Sequence, residues 1–240
     1  MKPSKLFMIG TMAMSMVASA AHATFLDFVI QPPSDSGSIG FNGSDPLAAN
    51  SIKVVNIIGI DTPSQSGAIS LCQDCTLSFA TGVFIGYAAN TWDFGPGGSI
   101  SVYGGVDLTG DGDTNDAGDI ASGSLLLSGS FNAARVLGLN GGNYSFQIAG
   151  GDFFDSKHIA LLDYYGLPTT GGYQGNLNLS FLAQLNPDGD SQTADFINVP
   201  NGIGSGDIIN QPIVPVPAAA WLFGTGLIGM TVIARRSKHS

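Results

Sequence analysis

Glutamate does not occur in this chain; all eighteen acidic residues are Asp. Glu favours helices, whereas Asp and Asn favour turns and caps, so a fold built on long charged helices is excluded. Basic residues are equally scarce. Of eight Lys and Arg, five (Lys2, Lys5, Arg235, Arg236 and Lys238) lie in the terminal segments. Only Lys53, Arg135 and Lys157 then stand against the eighteen Asp, a difference of −15. Such a field repels nucleic acid and anionic lipid and favours divalent cations, which sets nucleic-acid binding aside. Away from the termini there is one histidine, His158, and no G-x-S-x-G elbow, phosphate loop or dinucleotide fingerprint. Catalysis therefore has little to work with.

What is present points to strands. Gly reaches 34 of 240 residues, about twice its usual share. Apolar and polar residues alternate at Ser99-Ile100-Ser101-Val102, at Tyr144, Phe146 and Ile148, and at Leu177, Leu179 and Phe181. That is the period of a half-buried strand. Further strands are predicted over Phe25–Ile30, Ile52–Ile60, Ala68–Cys72, Thr76–Phe79, Val83–Tyr87 and Gly123–Phe131, separated by Gly, Asn, Asp and Pro clusters that read as turns. Helical spacing is confined to one short stretch, Ile159–Tyr165. The expected architecture is all-β, an antiparallel β-sandwich of jelly-roll type over 24–204. Residues 205–213, rich in Gly, Asn, Ile and Pro, read as a linker.

The two ends read as export and retention signals. Lys2 and Lys5 precede an apolar run from Leu6 to Val17, and Ala21-His22-Ala23 supplies the small residues of a signal peptidase site. Residues 1–23 are therefore expected to be a signal peptide cleaved after Ala23. At the other end Val214-Pro215-Val216-Pro217 leads into an uncharged run, Ala218 to Ala234, near the lower limit of about 17 residues for a transmembrane helix. Arg235, Arg236 and Lys238 follow as a basic stop, which places the C-terminus in the cytoplasm and the body outside.

The last 27 residues, 214–240, carry VPVPAAAWLFGTGLIGMTVIARR. In order and composition this segment resembles the PEP-CTERM sorting signal of Gram-negative bacteria, with Val216 where the family name has Glu. The resemblance implies processing by an exosortase at or near the Pro motif. The inner-membrane precursor would then pass to the cell envelope or extracellular polysaccharide. It assigns no biochemical activity to the body.

Two features of the body carry chemistry. The first is the run Asp107 to Asp119, with five Asp in thirteen residues. Alternating oxygen side chains before a Gly let a tight loop converge on a hard cation. Counted against an EF-hand-like loop, Asp107, Thr109, Asp111, Asp113 (through its carbonyl), Asn115 and an offset Asp119 are the candidate ligands. Calcium at roughly 10⁻⁴ to 10⁻³ M, in a structural role, is the expectation; a solvated acidic turn is the competing reading. Asn186, Asp188, Asp190 and Asp195 form a weaker second candidate.

The second is Cys72-Gln73-Asp74-Cys75, the only cysteine pair. Export favours a disulfide, expected to close a hairpin turn at Gln73-Asp74. Zinc lacks a second pair of soft ligands. The expected function is a non-enzymatic exported envelope or matrix protein. The alternatives are a carbohydrate-binding module, with Trp92, Tyr103, Tyr164, Tyr165 or Tyr173 stacking on sugar, and an Asp-dependent glycosidase drawing on Asp152, Asp155 or Asp163.

Overall fold

The computed structural model describes residues 24–31, 37–139, 145–185 and 196–213. Twelve strands and one helix follow in chain order: β1 (Phe25–Ile30), β2 (Ser38–Phe41), β3 (Ala48–Lys53), β4 (Asn56–Ile60), β5 (Ile69–Ala80) and β6 (Phe84–Ala88). After these come β7 (Thr91–Phe94), β8 (Gly97–Asp107), β9 (Ile120–Leu139), β10 (Ser145–Lys157), α1 (Ile159–Tyr165), β11 (Tyr173–Leu185) and β12 (Phe196–Pro212). The signal peptide, the Val214-Pro215-Val216-Pro217 segment with its basic stop, and the Asn186–Asp195 candidate lie outside the described residues. Among the described residues no helix is long and apolar enough to cross a membrane.

All the strand pairings are antiparallel, and the ladder closes on itself. β1 pairs with β4, β4 with β5, β5 with β8, and β8 with β9; β9, β10, β11 and β12 then follow in order, and β12 returns to β1. Around this ring of eight strands, neighbours succeed one another in chain order, so the ring is a closed meander. The jelly-roll crossings expected from the sequence are absent from it. The hairpin β2–β3 bridges from the first part of β12 to the second part of β5, and the hairpin β6–β7 extends the far part of β9. Closure removes the free edges that a sheet of this length would otherwise expose.

Along the strands alternate side chains turn inward, as the alternation at Leu177 and Leu179 anticipates. Leu26, Phe28 and Ile30 of β1, Leu177 and Leu179 of β11, and Ile208 of β12 are all buried. Phe131 stacks edge-on between Phe79 and Phe153, with ring centroids 5.9 and 5.7 Å apart. Fully burying each such side chain contributes about 1.5–3 kcal/mol. Helix α1 closes against β4 and β5 through Tyr165. Its hydroxyl donates to the Ile57 carbonyl at 3.1 Å and lies 2.9 Å from Ser70 Oγ. Gly59 makes room, since a Cβ there would sit 2.4 Å from the Tyr165 ring. His158 caps the helix, its Nδ1 accepting from the Ala160 amide at 3.3 Å.

Two boundaries differ from the sequence reading. Residues 205–212, expected as a linker, complete β12: Ile208 and Asn210 are fully buried, and the segment pairs with both β1 and β11. Ile52–Ile60, expected as one strand, divides at Val54–Val55 into β3 and β4, which lie in succession along β5.

Candidate metal centre

The Asp run forms the connection between β8 and β9, and two carboxylates fix its ends. Asp107, buried at the end of β8, accepts the Gly110 and Gly112 amides at 2.6 and 2.8 Å. Asp119, just before β9, accepts the Leu108 and Thr109 amides at 2.8 and 2.9 Å. Gly112 holds φ at 100°, a conformation that costs glycine little and other residues much. The Asp113 amide donates to Asp111 at 3.2 Å, and the Asn115 amide donates to Asp113 at 2.7 Å. These side chain to backbone bonds are the local reason that Asp and Gly, rather than helix formers, occupy the loop.

Within this frame one carboxylate oxygen from each of Asp111, Asp113, Asp116 and Asp119 lies within 4.8 Å of the others. The group could hold a metal ion; three of the four residues are exposed and Asp119 is half-buried. An all-oxygen, all-carboxylate set suits a hard cation rather than zinc or copper. The crowding is visible in the protonation equilibria. The Asp116 carboxyl is pushed up to about 6 by sharing a hydrogen bond with Asp111 and by repulsion from Asp111, Asp113 and Asp119. Asp111 is held below the usual range because it accepts that bond from Asp116 and the Asp113 amide.

The structure therefore rearranges the expected ligand set. Asp111, Asp113 and Asp119 come together as anticipated, but Asp113 contributes its carboxylate. Asp107 is not in the cluster; its oxygens are taken up by backbone amides. Thr109 lies against both end carboxylates, its hydroxyl 3.4 Å from Asp107 and 3.5 Å from Asp119. Asn115 enters through its backbone amide. Asp116 was missed because it falls between the positions of an EF-hand-like count. The spacing D-x-D-x-x-D-x-x-D from Asp111 to Asp119 was present in the sequence to be found.

The loop is also docked from the side. The Gln73 amide donates to the Gly112 carbonyl at 3.2 Å and accepts from the buried Thr114 hydroxyl at 2.9 Å. Gln73 sits between Cys72 and Cys75, which form a disulfide with Cα atoms 5.6 Å apart, within the usual range. No hairpin turns there, contrary to expectation. β5 continues through the motif, and Gln73-Asp74 is a bulge. From the Lys53/Thr76 pair to the Asn56/Leu71 pair, β5 uses five steps against three on β3–β4. Asp74 takes φ 52° there, and bulges commonly re-aim a side chain.

The remaining candidates separate. Trp92, Tyr165 and Tyr173 are buried, Tyr164 is half-buried, and Tyr103 is exposed. Asp152 faces outward on β10, Asp155 inward, and Asp163 stands exposed on α1. Asp155 is paired with Lys157 inside the ring, where neither side chain has accessible surface and Lys157 Nζ lies 4.1 Å from the Tyr173 ring centroid. Comparison with protein-family models, curated proteins and solved structures finds no match to this chain.

Proposed function

We propose that this chain is an exported, non-catalytic envelope or extracellular-matrix protein, released from a signal peptide and processed by an exosortase. The observation that carries the reading is the terminal cassette: the Pro motif Val214 to Pro217, the uncharged run behind it, and the basic stop of Arg235, Arg236 and Lys238. The composition of the body is in keeping with it. A chain without Glu, with three central basic residues and one cysteine pair, suits an oxidising, cation-containing exterior. In this reading calcium occupies the Asp111, Asp113, Asp116 and Asp119 cluster and rigidifies the β8–β9 loop in the millimolar calcium of such a setting.

The test is the intact mass of the protein recovered from its native host. A species that begins at Thr24 and ends near Val214, or carries added mass there, supports the reading. A species that begins at Thr24 and still ends at Ser240, in cells with active exosortase, reduces the cassette to an ordinary anchor.

A second reading, a carbohydrate-binding module for extracellular polysaccharide, is supported by one observation. The outward face of β10, β11, β12 and β1 holds a cavity of about 420 Å³ lined largely by carboxylates, amides and hydroxyls.

A further inference from the structure

On that outward face, the register stacks polar side chains in rows. Asn178 lies opposite Asp207, which lies opposite Val29; Asp152 lies opposite Asn176, then Ile209, then Asp27; Phe154 lies opposite Gln174, then Gln211. Directly opposed residues in an antiparallel ladder share a face. Their inward neighbours Phe153, Leu177, Leu179, Ile208, Leu26 and Phe28 are buried, so these rows point to solvent. Asp27, Gln147, Asn178, Ser180, Ser205 and Asp207 line the 420 Å³ cavity. A second hollow of about 200 Å³, lined by Asp152, Gln174, Asn176 and Gln211, adjoins it along β11 and β12. Together the β11 residues that line the two hollows, Gln174 to Ser180, run along the strand for about 20 Å, and we treat the two as one cleft.

The lining chemistry selects the occupant. Among the described residues, three carboxylates face the cleft and no Lys or Arg lines either hollow. The described basic residues are placed elsewhere: Arg135 pairs with Asp93, Lys157 is inside the ring, and Lys53 ends β3. Asp152 already accepts from Asn132 and Gln174, both at 3.2 Å. Asp27 is different, because its Oδ1 is buried with no hydrogen-bond partner. Burial and the neighbouring Asp207 push its carboxyl up to about 6. Asp207 shares a hydrogen bond with Asn178, so a cationic donor entering between the two acids would supply the partner that Asp27 lacks.

Around these acids, Asn176, Asn178, Gln147, Gln174 and Gln211 can each donate and accept, the pairing that adjacent ring hydroxyls require. Phe154, 48 % exposed and opposite Gln174, offers a ring face beside them. An extended peptide is poorly served. The strands flooring the cleft are paired on both sides, leaving no edge to augment, and its apolar lining is limited to Leu179 and Ile209 beside glycine backbone.

We infer that this cleft binds a linear glycan carrying free amino groups, its ammonium between Asp27 and Asp207 and its hydroxyls along the amide rows. The inference rests on the carbohydrate-binding reading and gives it a face and a ligand class.

The full chain, purified in detergent, is titrated calorimetrically with a β-1,4-glucosamine hexamer, its fully N-acetylated counterpart, an oligouronate and hexalysine. The glucosamine hexamer should bind, with the N-acetylated form and hexalysine at least about tenfold weaker and the oligouronate silent. Asp27→Asn combined with Asp207→Asn should weaken binding by at least about tenfold while leaving the thermal midpoint no lower. Equal binding of the N-acetylated hexamer overturns the amine assignment. Hexalysine binding as tightly as the glucosamine hexamer reduces the cleft to a bare acidic surface, and indifference to the double substitution moves the site elsewhere. Silence of all four ligands removes the inference. In each of these cases an intact mass with both ends processed leaves the exported-protein reading standing.

Discussion

If calcium fills the Asp111, Asp113, Asp116 and Asp119 cluster, it binds the folded protein and should raise its stability by mass action. An exposed extracellular loop of this kind binds at about 10⁻⁴ to 10⁻³ M. At ~0.3 mM affinity and ~10 mM calcium, the stabilisation is about 2 kcal/mol. For a body of this length that raises the thermal midpoint by about 4–8 °C. Magnesium, which demands near-octahedral geometry and keeps its waters, should give a much smaller shift.

The geometry also separates ligand from scaffold. Asp116→Ala removes a cluster carboxylate that accepts no backbone amide, so it should abolish most of the calcium shift while leaving the calcium-free midpoint unchanged or higher. Asp107→Ala frees the Gly110 and Gly112 amides. It should cost about 3 kcal/mol with or without calcium, since two bonds to a charged group are lost. Differential scanning calorimetry of the three proteins, with calcium, magnesium or chelator, reads every term. Calcium does not fill this cluster if it gives no shift, if magnesium matches it, or if Asp116→Ala retains it.

Two further outcomes follow from buried charge. Lys157→Ala should cost about 3–5 kcal/mol by leaving Asp155 unpaired in the core, whereas Asp155→Leu with Lys157→Met should recover most of that loss, as measured by urea unfolding; a double variant as unstable as the single one would show that packing rather than charge dominates. Asp27 has its carboxyl raised from 3.8 to about 6, first by burial and then by Asp207. Between those values the folded protein keeps a proton that the unfolded chain has released, so stability falls as pH rises from about 4 to about 6. Asp27→Asn removes that fall, and after allowance for the exposed part of the side chain the gain at pH 7 should be about 1 kcal/mol, vanishing at pH 4; an equal effect at both pH values in thermal melts would contradict the assignment.

The parts of this structure that sequence made visible are those where local pattern and tertiary context agree. Ser99–Val102 alternates and falls within β8, and Ile159–Tyr165, read as a short helical stretch, becomes α1. Residues 205–212 read as a linker because Gly206, Asn210 and Pro212 carry no strand preference. Their extended form comes from pairing with β1 and β11, a contribution that propensity does not encode. Trp92 and Tyr173 could have stood on a binding surface as far as spacing goes. Only the register shows that they face inward and that Phe154 is the aromatic beside the polar rows. Ring closure was illegible for the same reason, since β1 and β12 are about 180 residues apart and meet only through the whole meander.

The cysteine motif and the Asp loop look like two independent features in sequence, and the structure joins them. A disulfide that closes four residues constrains the unfolded chain by only about 2 kcal/mol, a modest return for the sole cysteine pair. Its larger consequence is positional. The bridge holds the bulge that turns Gln73 toward the loop, and Gln73 grips both Gly112 and Thr114. With Asp107 and Asp119 fixing the two ends, the loop is held at three places before any cation arrives. What remains free to respond to a cation is the short stretch bearing Asp111, Asp113 and Asp116. A cation then has only these side chains to order, which lowers the entropic cost of binding.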